Sequence, residues 1–328
     1  MIAERLENLK GSTPDTSEVD PLSNLVIVGG GTMGQGITIS AAKKGIEVLL
    51  IEKDEKSLKR SLAEMNDDLD REIVRWALTE GEKKSILSRI KGEVGYQSIS
   101  PNHVFILETI SENIDQKKEL LTQLDSVCSP EAILITNTST ISITELASAT
   151  SRPDRFIGVH FLNPVPKVRL VELVRGLNTS LDTFNKALQL VGKLEATPIE
   201  VFESPGYVTT RVMMPLVNEA IQVLMEGIAS AEDIDKAIRI GYDLPWGPLE
   251  MADRIGLDSI LYWLEKMFTD LGDTKYKPCP MLRMLVRAGN LGLKTKRGFY
   301  SWDNEERVIP GSGQRAAAYE RFLDITND

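Results

Sequence analysis

The chain has 328 residues, long enough for two domains that each bury a core. Hydrophobic residues make up 42% and charged residues 26%, the balance of a globular protein, and no run of roughly eighteen apolar residues is present to span a bilayer. A formal charge of −10 argues against nucleic acid as a partner, and an anionic ligand would need a local basic patch to offset that field.

Residues 1–22 are polar and lack the apolar centre of a signal peptide, so they read as a flexible arm. The stretch 24–37, NLVIVGGGTMGQGI, joins a buried-strand pattern to glycines at the first, third and sixth positions of a turn (Gly29, Gly31 and Gly34), with a helix predicted over 33–44. In a strand–turn–helix the first glycine permits the tight turn, the second lets backbone approach a pyrophosphate, and the third lets helix and strand pack closely. The helix N-terminus then offers unpaired N–H groups to the phosphates. A second strand over 47–51 ends in Glu52, about twenty residues beyond the motif, where a carboxylate accepts hydrogen bonds from ribose hydroxyls and repels a 2′-phosphate. These features predict a dinucleotide site that prefers NAD to NADP.

Further along, the pattern predicts an amphipathic helix over 54–79, a shorter one over 80–90, and a weak strand over 92–96. Strands are predicted over 104–110, 132–136, 156–160, 168–174 and 198–202, with helices over 115–127, 143–149 and 181–194 between them. This alternation implies an α/β fold of Rossmann type, a mostly parallel sheet covered by helices on both faces. From Ser204-Pro205-Gly206 onward only helical periodicity remains, over 206–226, 230–240, 248–271 and 281–288. The predicted organisation is an arm (1–22), a dinucleotide-binding domain (23–203) and an all-α domain (204–328). Apolar segments over 212–225 and 255–267 exceed what one small bundle can bury, which suggests a homodimer. The two cysteines, Cys128 and Cys279, lack metal or redox spacing and read as inert thiols in a reducing, cytoplasmic setting; no metal-ligand cluster is evident.

Only two histidines occur, His103 and His160. His103, entering a strand, reads as an edge residue. His160 closes the strand FIGVH, at the carboxyl end where an open parallel sheet binds its ligands. Histidine is the side chain suited to proton transfer near neutral pH. Glu172 lies among apolar residues of the next strand and needs a partner there. That partner is either His160, whose tautomer it would fix, or Arg169 or Arg175. Asn137-Thr138-Ser139-Thr140 and Ser111-Glu112-Asn113 follow two other strands; by themselves they are turn and cap chemistry, but they converge on the same edge.

GGGTMGQGI, ETISENIDQKKEL, ITNTSTISIT, GVHFLNPVPKVRLVELVRG, PWGPLEMADRIGLD and LKTKRGFYSW, in order over residues 24–302, resemble the short-chain L-3-hydroxyacyl-CoA dehydrogenase (3-hydroxybutyryl-CoA dehydrogenase) family. The resemblance implies an NAD-binding Rossmann-like domain and a helical domain that builds a dimer. It implies oxidation of a 3-hydroxyacyl-CoA, with His160 as general base, Glu172 orienting it, and Ser139 bonding the reacting oxygen beside the cofactor. Asn163 would hold the base loop and the nicotinamide side. Thr32 and Met33 complete the glycine turn; Glu112, Lys117 and Lys294 match positions near the cofactor ribose, and Arg75 loosely matches one for the CoA tail. Three departures stand out. Thr210 replaces an asparagine that donates to the thioester carbonyl, Lys294-Thr295-Lys296-Arg297-Gly298 lacks one glycine, and Glu52 replaces the commoner aspartate. Sister activities on a carrier-protein thioester or a free hydroxy (sugar) acid, and a non-catalytic NAD-binding role, are the competing readings.

Overall fold

The structure, a computed structural model, is described for residues 22–314, so the predicted arm lies outside it except for Leu22. Two compact units divide between Tyr207 and Val208.

The first unit runs β1 (Asn24–Val28), α1 (Thr32–Lys43), β2 (Glu47–Glu52), α2 (Glu55–Val74), α3 (Glu80–Leu87), β3 (Ile90–Val94), β4 (Phe105–Glu108), α4 (Ile114–Val127), β5 (Ile133–Thr136), α5 (Ile143–Ala147), β6 (Phe156–Phe161), β7 (Leu170–Arg175), α6 (Leu181–Lys193) and β8 (Thr197–Phe202). The eight strands form one sheet in the order β3-β2-β1-β4-β5-β6-β7-β8. All neighbours are parallel except β6 and β7, which are antiparallel. The central strands read as continuous apolar runs because both faces are covered. Leu25 and Ile27 of β1 enter one core, Val26 and Val28 the other. Strand order reverses between β1 and β4, the switch point outside which such sheets bind ligands.

Side chains cap α2 to α6: Asp54, Thr79, Asn113, Ser142 and Ser180 each accept an N–H of the first turn. Helix α1 differs, with Gly31 at its N-cap and no side-chain cap. Helix α2 ends at Val74, short of the predicted 79, because Trp76 adopts a left-handed backbone (φ 58°).

The second unit packs α7 (Thr209–Met225), α8 (Ala231–Gly241), α9 (Pro248–Ile255), α10 (Leu257–Leu271) and α11 (Pro280–Arg287) around a core that includes Val217, Ile221, Leu249, Leu264 and Phe299. The helix predicted over 248–271 is two helices, because Gly256 (φ 105°) turns the chain between them. The helix predicted from 206 starts at Thr209, since Gly206 (φ 79°) and Tyr207 (φ 49°) hold left-handed backbone before it. None of the described helices is long and apolar enough to cross a membrane.

Candidate active site

Gly29 follows β1 with φ 101°, and its N–H donates to Ile51 at 2.8 Å. Thr109, just past β4, donates its hydroxyl to the Gly29 carbonyl at 2.6 Å. A Cβ at Gly34 would stand 1.9 Å from that carbonyl oxygen, so only glycine lets α1 start this close to the turn. Around Gly31 a Cβ would meet nothing within 4 Å, and Thr32 beside it is exposed. An open, uncapped helix N-terminus with free backbone N–H groups fits a pyrophosphate. Met33 is half-buried beneath it.

Glu52, at the end of β2, is buried against this turn. Its Oε1 accepts from the Gly30 N–H and the Ser61 hydroxyl, both at 3.0 Å, and Oε2 accepts from the Lys53 N–H at 3.2 Å. A carboxylate has about four acceptor sites, so Oε2 retains capacity for ribose hydroxyls.

At the other end of the same sheet edge stand His160 and Glu172. Antiparallel pairing of β6 and β7 sets the two directly opposite on one face. Nδ1 of His160 lies 2.6 Å from Glu172 Oε2, and Nε2 lies 3.1 Å from Ser139 Oγ. His160 is 5% and Glu172 0% exposed, so neither exchanges freely with water. A carboxylate only accepts, so Nδ1 carries the proton and Nε2 presents a lone pair to the Ser139 hydroxyl. Of the two alternative partners for Glu172, Arg169 and Arg175, the second pairs with Glu200 at 3.2 Å. His103 accepts from the Ser100 N–H at 2.9 Å, far along the chain from this edge.

Ser139 sits in a turn held by Glu112. Oε1 of Glu112 accepts the Ser139 N–H at 2.9 Å, the Thr140 N–H at 3.3 Å, and the Thr138 hydroxyl. Lys117 supports that arrangement from below. Its ammonium, 1% exposed, contacts both Glu108 oxygens at 2.8 Å, the Ile110 carbonyl at 3.3 Å and Glu112 at 3.6 Å. Three donors are thus committed within the protein, so any part Lys117 plays at a ribose passes through Glu112. Sequence reasoning missed Glu108 and Tyr207, and it placed Asn137 in the cluster at this edge without giving it a role of its own. The Tyr207 ring lies 5.6 Å from the imidazole at 60°, and its hydroxyl donates to the Ile141 carbonyl at 3.4 Å. Burial, aided by Glu112 and Glu172, pushes that phenol well above its ordinary range, so it remains a neutral donor.

Asn163 is exposed on the loop between β6 and β7, and Val165 of that loop lies against Gly36 of α1, where a Cβ would meet it at 3.1 Å. Arg75 is exposed just past the end of α2, three residues beyond Glu72, which pairs with Lys43, the last residue of α1. In the second unit, Thr210 is buried in the first turn of α7, and Lys294 pairs with Asp258 at 2.5 Å.

Residues 24–204 match the 3-hydroxyacyl-CoA dehydrogenase NAD-binding domain, and residues 206–302 match the C-terminal domain of the same family. A probable 3-hydroxybutyryl-CoA dehydrogenase of Bacillus subtilis is 40% identical over 284 residues, covering 87% of this chain and 99% of that one. The human mitochondrial hydroxyacyl-coenzyme A dehydrogenase is 34% identical over 291 residues, covering 86% and 91%. The crystal structure of (S)-3-hydroxybutyryl-CoA dehydrogenase from Ralstonia eutropha superposes with a TM-score of 0.80 at 43% identity, covering 86% of this chain and 99% of that one. With both domains matched in order and the glycine turn shaped for a dinucleotide, the chain belongs to the 3-hydroxyacyl-CoA dehydrogenase family and is an NAD-dependent oxidoreductase.

Proposed function

We propose that the chain interconverts a short-chain (S)-3-hydroxyacyl-CoA, such as 3-hydroxybutyryl-CoA, and the 3-oxoacyl-CoA, with His160 and Glu172 as the general base/acid pair. The observation that carries this reading is the line Glu172–His160–Ser139, in which one imidazole nitrogen is fixed by a buried carboxylate and the other faces a hydroxyl. The Ser139 hydroxyl marks where a substrate hydroxyl would present its proton to Nε2. As that proton moves to Nε2, the imidazolium is stabilised by Glu172, and Ser139 turns its donor onto the substrate oxygen. Bound NAD supplies the acceptor for the hydride that leaves C3. In reduction, His160 starts protonated and returns the proton to the forming alkoxide. Asn163 would line the nicotinamide side with Ser139 beside it, and Glu112 would lie near the ribose.

NADH-oxidation rates with 3-oxoacyl-CoA esters of graded length, beside the free 3-oxo acids, test the reading. Four-carbon CoA esters are expected to turn over fastest; free acids turning over as well would favour a sister activity and defeat the CoA assignment. Relatives named 3-hydroxybutyryl-CoA dehydrogenase at about 40% identity support the short chain. Arg75, exposed past the end of α2, would meet the far end of the CoA moiety.

Two substitutions probe the edges of the site. Glu52→Ala is expected to weaken NADH binding by about tenfold to a hundredfold, the value of charge-assisted hydrogen bonds. It should also narrow the preference over NADPH, and calorimetric titration showing neither change contradicts the ribose role. Thr210→Asn restores a longer donor. If Thr210 faces the thioester, KM for 3-hydroxybutyryl-CoA changes by several-fold; constant KM and kcat place Thr210 outside the substrate shell.

The quaternary and cellular readings belong here too. Val208, Val212 and Leu216 make an exposed apolar stripe, 46%, 66% and 39% accessible, that continues along one face of α7. That stripe supports a homodimer, and light scattering at micromolar concentration that finds a monomer disposes of it. Both cysteines are buried free thiols, in keeping with a cytoplasmic enzyme.

A further inference from the structure

The two halves of the proton-transfer pair come from different elements. Ser139 stands on the turn after β5 and His160 near the end of β6, and their 3.1 Å separation needs something to hold those elements in step. The sheet does not supply it. The β5–β6 ladder pairs Leu134 with Phe156, Ile135 with Ile157 and Thr136 with Gly158, then stops because β5 ends at Thr136. His160 and Phe161 therefore extend beyond their neighbour on that side, while β7 flanks them on the other.

One side chain continues the pairing where the backbone gives out. Oδ1 of Asn137 accepts the Phe161 N–H at 2.9 Å, and the Asn137 N–H donates to the Glu108 carbonyl at 3.1 Å. An N–H only donates, so the amide orientation is fixed by chemistry. Asn137 is thus tied through its backbone to β4 and through its side chain to the residue after His160. Among the described residues, two hydrogen bonds cross from the 137–141 turn to the last three residues of β6: this one and the Ser139–His160 contact itself. Glu112 anchors the turn too, but toward the β4 side, and places no bond on β6.

We propose that Asn137 is a positioning residue, which clamps the Ser139 turn to the end of β6 and so fixes the Ser139 Oγ to His160 Nε2 approach. The proposal rests on the proton-transfer role given above to His160. Without the clamp, the turn keeps its hold on β4 but loses its register against β6. A displacement of about an ångström at reacting groups costs on the order of a hundredfold in rate. A purely structural asparagine would do something different: it would satisfy one buried N–H, and its loss would lower the melting temperature while the active fraction turned over normally.

Asn137→Ala and Asn137→Asp separate these. The aspartate variant keeps an acceptor for the Phe161 N–H; the alanine variant does not. In NAD-dependent oxidation of 3-hydroxybutyryl-CoA, Asn137→Ala is expected to lose about thirtyfold to a hundredfold in kcat, with KM and NADH affinity within about threefold. Asn137→Asp is expected to recover at least about tenfold of that loss. A second measurement needs no substrate. The chain has only two histidines, so carbon-13-labelled histidine gives two ring signals, assigned with a His103→Gln variant. The His160 signal is expected to shift or broaden in Asn137→Ala and to return toward the parent in Asn137→Asp, while His103 stays put.

An Asn137→Ala enzyme within about threefold of the parent kcat, or an Asn137→Asp enzyme as slow as the alanine variant, overturns the proposal. So does a His160 signal indifferent to both changes. Should the parent enzyme fail to oxidise 3-hydroxybutyryl-CoA, the functional reading falls by itself, and the histidine spectra still decide the role of Asn137.

Discussion

Replacing His160 with alanine is expected to lower kcat by about 10²–10⁴-fold while NADH affinity stays within a few-fold of the parent. The imidazole is the group on this sheet edge that can take a proton from a hydroxyl at Nε2 and hold the resulting charge against a carboxylate 2.6 Å away. The glycine turn that fits the cofactor lies at the end of β1, with β4 and β5 between it and β6, so truncating the ring leaves that turn alone. Glu172→Gln makes a finer cut. A glutamine can offer an N–H to Nδ1, which would leave the proton on Nε2 and present a donor where the mechanism needs a lone pair. The rate should then fall nearly as far as in the alanine variant, although the imidazole and its packing remain. Steady-state rates at saturating substrate, read beside NADH titrations, check both. A His160→Ala enzyme at parental speed removes the base assignment.

Much of this was legible in the sequence, and the limits have physical causes. Leu25–Val28, Val48–Ile51 and Phe105–Leu107 are buried on both faces, so the apolar runs announced a covered sheet without any need to know its neighbours. His160 and Glu172 were placed on successive strands, but nothing local revealed that those strands run antiparallel, which is what sets the two side chains opposite each other. Lys117 shows a signal that could have been used. With Leu120, Leu121 and Leu124 it occupies the buried stripe of α4, spaced i, i+3, i+4, i+7 like a core residue. A lysine in that stripe demands a buried carboxylate, and Glu108, ending an apolar strand, was the candidate. The break at Gly256 and the start of α7 at Thr209 were hidden because a positive φ leaves no trace in hydrophobic periodicity. Asn137 was hidden in plain sight, since an asparagine after a strand is most often a turn residue.

The helical unit offers the second large effect, on stability and its dependence on pH. Asp253 of α9 is 1% exposed, and its carboxylate gathers the chain near the end of the described residues: Oδ1 accepts the Phe299 N–H at 2.8 Å, and Oδ2 accepts the Tyr300 N–H and the Trp302 indole N–H at 2.9 Å. Gly298 is the glycine retained in the Lys294–Gly298 segment, and a Cβ there would stand 2.0 Å from Asp253 Oδ1. Asp253→Asn keeps the volume but turns an amide N–H toward one of the three donors. Leaving a buried donor unmatched costs about 2–3 kcal/mol and lowers the melting temperature by several degrees.

Burial outweighs the three donors and lifts the Asp253 carboxyl to about 6 from its ordinary 3.8. The folded chain therefore binds this proton more tightly than the unfolded chain. The resulting stabilisation, about 3 kcal/mol, is full below about pH 4 and disappears as pH rises through about 6. Asparagine cannot titrate, so the variant lacks that slope. The gap in melting temperature between parent and variant should be widest near pH 4 and narrow toward pH 7. Asp235, also raised by burial, gives both proteins a slope of its own, and its charge is among the influences that raise Asp253. Melts followed by tryptophan fluorescence, with Trp302 as a probe inside this unit, report the gap directly. A gap that stays constant from pH 4 to 7 would mean that Asp253 ionises as an exposed aspartate does, and that its three donors, rather than its burial, set its charge.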